Sequence, residues 1–258
     1  MAHWIGAAAS RRGTAHARRG EARQDAVALR FPGKALVAVV ADGAGSAPRG
    51  GAGAALACRT LAAAASSLAD RRGTAALLPC DLAALMEGTH AALAEAAARA
   101  GIAVRDLATT ALLVVSDGAR TLSAHVGDGA AVARTAEGWR ILSWPETGAH
   151  AGTTRFLTEA PPAVRTACID VPVTAVALLT DGLERLVLDL ARCTPHPPFF
   201  DMIAEPLDRL ADDPATPSGR DRPLSAALAR YLDGERVNER TDDDRTLAVA
   251  VRRAAPAS

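Results

Sequence analysis

The sequence has no apolar run long enough to cross a bilayer: its longest purely apolar stretches, such as Ala35 to Ala41, fall far short of the ~20 residues that a spanning helix needs. Net charge is missing too. Lys plus Arg and Asp plus Glu number 29 each, so no global basic field would draw the chain onto nucleic acid or an anionic membrane, and a discrete site is the expectation. Cysteine is sparse. Cys58, Cys80, Cys168 and Cys193 lie far apart and form no C-x-x-C pair, which argues against a zinc ribbon or dithiol motif and leaves buried free thiols as the expectation. Phe, Tyr, Ile, Lys and Asn are scarce beside Ala and Arg, a bias from which no function is read. Met1 to Ser10 have neither the basic start nor the apolar length of a secretory signal, so a cytoplasmic location is expected. The 258 residues, close to half of them apolar, suit one domain over 1–258.

What is present begins with a β-branched run, Ala35 to Ala41, which stops at Asp42-Gly43 and reads as a buried strand ending in a turn. A glycine-rich stretch follows. High helix propensity then covers Ala54 to Ala69 and Asp81 to Ala100, with Asp81 as the expected N-cap and Gly101 as the stop. From Thr109 to Leu142 short apolar runs separated by Asp-Gly and Glu-Gly pairs predict an antiparallel meander. Residues 143–162 have little periodicity and read as a flap-like excursion. Strands resume at Val164 to Val171 and Thr174 to Thr180, the second stopping at Asp181-Gly182. A helical insert over about 183–232 contains helices at Leu183 to Leu190, Phe199 to Leu210 and Pro223 to Leu232, interrupted by Pro195, Pro197 and Pro198; the last strand is Thr246 to Val251. Hairpin-linked strands alternating with helix pairs point to α+β, with helices packed outside antiparallel sheets.

Several Asp-Gly pairs occur, and each by itself is an ordinary turn signal. Asp117-Gly118 sits between two apolar runs and reads as a two-residue hairpin. Asp42-Gly43 and Asp181-Gly182 differ, because each ends a strand and leads toward a helix, which places a carboxylate at the open end of a sheet. Asp25 at the start of a strand, Asp128 in Val126-Gly127-Asp128-Gly129 and Asp243-Asp244 before the final strand join the pattern. Gathered carboxylates repel and need a counter-charge. Oxygen-only ligands suit Mg²⁺ or Mn²⁺ rather than zinc, and two such ions ~4 Å apart can share a water, lower its pKa and aim it at phosphorus.

In this arrangement the chain resembles the metal-dependent protein phosphatases of type 2C, and especially their compact bacterial branch. The matching segments run in family order: His16-x-x-x-Gly20-x-x-x-Gln24-Asp25, Val39 to Ser46, Ala108 to Leu113, Val126 to Gly129, Leu179 to Leu183 and Asp243 to Leu247. The resemblance implies a four-layer αββα sandwich of two antiparallel sheets flanked by helix pairs, with metals at one end. It further implies hydrolysis of phosphoserine or phosphothreonine in a phosphorylated protein, opposing a serine/threonine kinase, without nucleic acid or membrane. By the same resemblance Asp42 bridges two ions, Asp25 and the Gly43 carbonyl serve one of them, Asp181 and Asp243 serve the other, and Asp128 with Asp181 holds a weaker third. Asp244 stands where the family often has Asn and is expected to support the ligands.

Two positions depart from the family pattern. Many members carry a histidine directly after the Asp-Gly, a donor to the leaving oxygen, where this chain has Ala44. His16 is the candidate general acid in its place, an imidazole being suited to proton transfer near neutral pH. The family's phosphate-binding arginine falls by spacing on Gly20, so Arg18, Arg19 and Arg23 compete, with Arg19 the candidate and His16 a possible replacement. The flap reads Ala149-His150-Ala151-Gly152-Thr153-Thr154-Arg155 where the bacterial branch has Glu-Tyr-Ala-Asn-Glu-Thr, a change that bears on substrate choice. These departures leave a second reading, a phosphatase-like module that binds a phosphoprotein without turnover. An aspartyl-phosphate mechanism lacks its second acid after Asp42-Gly43, and no phosphate-binding loop or dinucleotide fingerprint follows a strand. His125 is expected in the core and His90 on a helix surface.

Overall fold

The computed structural model describes residues 3–146, 154–213 and 215–253. In chain order the elements are β1 (Trp4–Arg11), α1 (Thr14–Arg18), β2 (Asp25–Arg30), β3 (Leu36–Asp42), α2 (Gly50–Arg72), α3 (Pro79–Ala100), β4 (Ala111–Ser116), β5 (Thr121–Val126), β6 (Ala130–Thr135) and β7 (Gly138–Ser143). They continue with β8 (Arg165–Ile169), β9 (Ala175–Leu179), α4 (Glu184–Val187), β10 (Leu188–Asp189), β11 (Thr194–Pro195), α5 (Pro197–Asp212), β12 (Gly219–Arg220), α6 (Arg222–Leu232), α7 (Glu235–Asn238) and β13 (Arg245–Arg252).

Two sheets result, one in the order β12-β1-β13-β9-β6-β7 and one in the order β2-β3-β4-β5-β8; β10 and β11 form a separate ribbon. Every pairing within them is antiparallel except β1 with β12. The two-residue period of a strand makes the layers. In β3, Val37, Val39 and Ala41 face α2 and α3, while Leu36, Ala38 and Val40 face the other sheet. In β13, Leu247, Val249 and Val251 face α5 and α6, while Ala248 and Ala250 turn inward. Helix, sheet, sheet, helix is the αββα order expected from sequence. These strands are apolar on both faces because each is covered on both, so they read as continuous runs rather than as alternation.

Several sequence expectations need correction. The meander over 109–142 is divided: β4 and β5 belong to one sheet, β6 and β7 to the other, and the chain crosses between them at Gly127-Asp128-Gly129. The helix expected over 183–190 shrinks to a 3₁₀ turn and α4, because Leu188 and Asp189 pair with Pro195 and Thr194 instead. Asp81 does not cap α3; Leu78 holds that position, and the Asp81 carboxylate reaches back to its N–H at 2.7 Å. The loop after β4 spans four residues, not two, with Asp117 Oδ1 accepting from the Ala119 and Arg120 N–H groups. Of the cysteines only Cys58 is buried, where burial pushes its thiol pKa up; Cys80 and Cys193 are exposed and Cys168 half-buried. His90 is half-buried, with Nδ1 2.9 Å from the Leu157 carbonyl. His125 is buried as expected.

Helix α2 is long and apolar enough by composition to match a membrane span, yet it packs on β2, β3 and α3, beside α3 in the same layer. Its buried face is largely alanine, with Leu61 and Cys58. Such small side chains let the helix approach the sheet closely, and Leu61, fully buried, is the kind of residue whose truncation to Ala costs about 2–5 kcal/mol.

Candidate metal centre

The crossings between sheets and the strand ends meet at one end of the sandwich. Asp25 opens β2 and lies in register opposite Asp42, which closes β3. Asp181 follows β9, Asp128 sits at the crossing between β5 and β6, and Asp243 precedes β13. One carboxylate oxygen each from Asp42, Asp128 and Asp181 lies within 4.8 Å of the others. These three line a cavity of about 410 Å³ together with His16, Arg19, Gly43, Ala44 and Asp243. Asp25 lies beside this group, buried and opposite Asp42 in the strand pair.

The glycines after Asp42 and Asp181 are not there for turn conformation. Neither has a positive φ, whereas Gly118 of the ordinary turn has φ 83°. A Cβ on Gly43 would lie 2.2 Å from the Gly50 carbonyl carbon, and one on Gly182 would lie 1.9 Å from the Asp244 carbonyl oxygen. Backbone packs against backbone at both places, so the two aspartates are held by segments that only glycine permits to approach. This separates the two site pairs from Asp117-Gly118 on physical grounds.

Threonines fix the carboxylates. Thr180 and Thr246 hydroxyls donate to Asp25 Oδ2 at 2.8 and 2.6 Å. Thr110 Oγ1 accepts from the Asp42 N–H at 3.0 Å, and Thr109 Oγ1 donates to the Asp42 carbonyl at 2.9 Å. Thr154, at the near end of the flap, donates to Asp128 Oδ2 at 2.5 Å. These hydroxyls occupy one oxygen of Asp25 and of Asp128. The other oxygens, Asp25 Oδ1 and Asp128 Oδ1, are buried and have no partner among the described residues, and the same holds for Asp181 Oδ1.

Buried carboxylate oxygens with nothing to accept from are costly unless a cation meets them. The electrostatics agree. Burial pushes the Asp25 carboxyl up to about 6 despite its hydrogen bonds. Burial, followed by the charges of Asp128 and Asp243, pushes Asp181 up to about 7. Asp42 is held well above the ordinary carboxylate range by burial and then by the charges of Asp25 and Asp181, and burial also raises Asp128. The donor set is all oxygen, so it fits a hard divalent cation such as Mg²⁺ or Mn²⁺.

The remaining candidates fall into place around this cluster. Asp243 is exposed and lines the cavity, but its Oδ1 accepts from the Asp244 N–H at 2.7 Å and lies outside the tight group of three. Asp244 is buried and supports four groups: Oδ1 takes the Gly13 N–H at 2.6 Å and faces His16 Nδ1 at 2.9 Å, while Oδ2 takes the Gln24 and Asp25 N–H groups at 2.5 and 3.4 Å. Arg19 lines the cavity with its Nε on Glu21 at 2.8 Å. Arg18 pairs instead with Asp242, and Arg23 turns to the Ser10 and Asp25 carbonyls. Sequence reasoning assigned no role to Thr110, Thr154, Thr180, Thr246 or Phe156, which also lines the cavity. The signal available was a hydroxyl at the end of an otherwise apolar strand, as at Leu179-Thr180. Flap residues 149–153 lie outside the described residues.

Comparison with known proteins bears on the identity of this site. Residues 12–233 match the family model described as protein phosphatase 2C. The chain is 35% identical over 220 residues to serine/threonine-protein phosphatase 3 of Escherichia coli (strain K12), a match covering 84% of this chain and 83% of that protein. The catalytic domain of the serine/threonine protein phosphatase PstP, solved with two manganese ions, superposes with a TM-score of 0.64 at 20% identity, covering 98% of this chain and 100% of that one. PppA, a regulatory component of T6SS in Pseudomonas aeruginosa, superposes with a TM-score of 0.62 at 18% identity, covering 99% and 100%. At these identities the two solved structures speak to the fold alone. The family match over most of the length, joined to the 35% identity with a named enzyme, shows that this chain belongs to the protein phosphatase 2C family of serine/threonine-protein phosphatases.

Proposed function

We propose that this chain hydrolyses phosphoserine and phosphothreonine in a protein substrate, using two divalent cations, Mg²⁺ or Mn²⁺, at the acidic cluster and a third, weaker one beside it. The observation that carries the reading is the set of buried, unpartnered oxygens on Asp25, Asp128 and Asp181 around Asp42. Asp25, Asp42, Asp181, Asp243 and the Gly43 carbonyl would hold the two, and Asp128 with Asp181 the third. When bound, the cations would supply an acidified water and screen the phosphate charge.

The chain's own residues perform the rest. Arg19 meets the phosphate from the cavity wall. Ala44 carries no transferable proton, so protonation of the leaving serine or threonine oxygen falls to His16. Asp244 takes the Nδ1 side of that imidazole, and Nε2, which faces Glu21 Oε2 at 3.8 Å, is the nitrogen that serves the substrate. Gly13 and Gln24 N–H groups hold the Asp244 carboxylate in turn, so the ring is fixed by a buried, fully partnered anion. In the cell such an activity would oppose a serine/threonine kinase in the cytoplasm.

The experiment compares two substrates whose leaving groups differ. With Mn²⁺ the protein is expected to hydrolyse both p-nitrophenyl phosphate and a phosphothreonine peptide. His16→Gln should slow the peptide by about 10²-fold while leaving p-nitrophenyl phosphate, whose phenolate departs unprotonated, within a few-fold. An equal loss on both substrates would remove His16 as the acid. Peptide binding without release of phosphate from either substrate would replace the whole reading with that of a binding module.

A further inference from the structure

Away from the metal centre, the open side of the sandwich carries a cleft of about 1060 Å³. Its floor is β1 and β2, and its walls are α2 and α6. β2 is the outermost strand of its sheet, and β1 is covered by β12 only at Ile5 and Gly6, so two strand edges face the cleft. Among the described residues five arginines line it, Arg23, Arg30, Arg59, Arg220 and Arg222, and no acidic residue does.

The two edges are treated differently. On β1 the outward groups are capped: the Gly6 carbonyl accepts from the Asp221 N–H, the Ala8 N–H meets Ser225 Oγ, the Ala8 carbonyl accepts from Arg220 and the Ser10 carbonyl from Arg23. On β2 the Gln24 carbonyl bonds the Gly43 N–H of the neighbouring chain segment, so by alternation Asp25, Val27 and Leu29 turn their N–H and C=O groups outward. Asp25 is satisfied by Asp244 and Arg23, and the Leu29 carbonyl by Arg30. The half-buried Val27 has neither group bonded among the described residues. Among the described residues Arg23, Arg30 and Arg220, all exposed, bond carbonyl and hydroxyl oxygens and no carboxylate, so no acidic side chain pairs with their charge at the cleft.

We propose that this cleft binds an extended acidic segment of a protein partner, which adds as a strand to β2 at Val27 while its carboxylates pair with the flanking arginines. A free strand edge selects an extended polypeptide through backbone pairing, and the one-signed walls select acidic side chains. The cleft shares strand β2 with the acidic cluster but none of the cluster's carboxylates lines it, so the proposal goes beyond the hydrolytic reading and does not depend on it.

The test uses a short fluorescent peptide of alternating Glu and Val, read by anisotropy on the full chain. Binding is expected, weakening with salt and falling at least about tenfold in Arg59→Glu/Arg222→Glu. The same peptide carrying backbone N-methyl groups should lose a comparable factor, since it keeps the charge but cannot pair with an edge. Hydrolysis of p-nitrophenyl phosphate by the arginine variant should equal that of the parent. If the parent shows no hydrolysis, that outcome speaks against the phosphatase reading and leaves the cleft result standing. Absence of peptide binding to the parent, binding that survives charge reversal, equal binding of the N-methylated peptide, or equal affinity for a single-stranded oligonucleotide would each overturn the proposal.

Discussion

Asp42→Asn is expected to lose Mn²⁺-dependent hydrolysis by at least about 10³-fold, the upper scale on which removal of one preorganised electrostatic group acts. It is also expected to make the metal-free protein more stable. Burial is the main cost of the Asp42 charge, and the neighbouring carboxylates of Asp25 and Asp181 add to it. An amide of the same shape removes that charge without leaving a cavity. Each kcal/mol recovered moves the unfolding midpoint of a chain this size by about 2–4 °C, so a thermal melt in chelator should rise by a few degrees. Loss of activity with a gain in metal-free stability distinguishes a functional charge cluster from a structural one, because a carboxylate that served the fold would lower both on removal.

The second large effect is on stability against pH, with and without metal. Asp25 is raised to about 6 and Asp181 to about 7 in the folded chain, against an ordinary value near 3.8. The folded state therefore binds these protons more tightly than the unfolded state does. Stability is fully present below pH ~4 as far as these groups are concerned, and falls as pH rises through 4 to 7. For Asp25 alone the rise from 3.8 to about 6 corresponds to roughly 3 kcal/mol. In chelator the melting temperature should accordingly be lower at pH 7.5 than at pH 5. Added Mn²⁺ binds the ionised cluster and stabilises it by mass action, most at the higher pH, so the difference should shrink or reverse. A melting temperature indifferent to Mn²⁺ at pH 7.5 would contradict the assignment of the cluster as a metal centre.

Much of this was legible in the sequence, for reasons that can be named. Asp42 and Asp181 each stop an apolar run of five or more residues, so their place at a strand end showed locally, while the chemistry expected of them came only from their combination with Asp25, Asp128 and Asp243. The α+β class followed from apolar runs with hairpin-like gaps and two long alanine-rich helices, and the αββα order from the family resemblance. What stayed hidden depends on contacts distant in sequence. The family resemblance names Asp128 with Asp181, but the route there reads in sequence as a turn inside one meander, whereas the chain passes to the other sheet at that point. Asp244 is 228 residues from His16, and nothing local to either suggests their pairing. The glycines beside Asp42 and Asp181 read as turn formers by propensity, yet their reason is the approach of Gly50 and Asp244 backbone. The helix over 183–190 failed because pairing of Leu188 with Pro195 outweighed local helix propensity. The arginines of the side cleft are scattered between positions 23 and 222 and form no basic run, so folding alone assembles them.

The most direct measurement is phosphate release from a phosphothreonine peptide by chelator-treated protein as Mn²⁺ is added back. The expected result is no release without metal, a rise with more than first-order dependence on Mn²⁺ at low concentration as two sites fill, and no comparable rise in Asp42→Asn. Undiminished release in the chelated protein, or a Mn²⁺ response unchanged by Asp42→Asn, would contradict a hydrolytic centre built on Asp25, Asp42, Asp128 and Asp181.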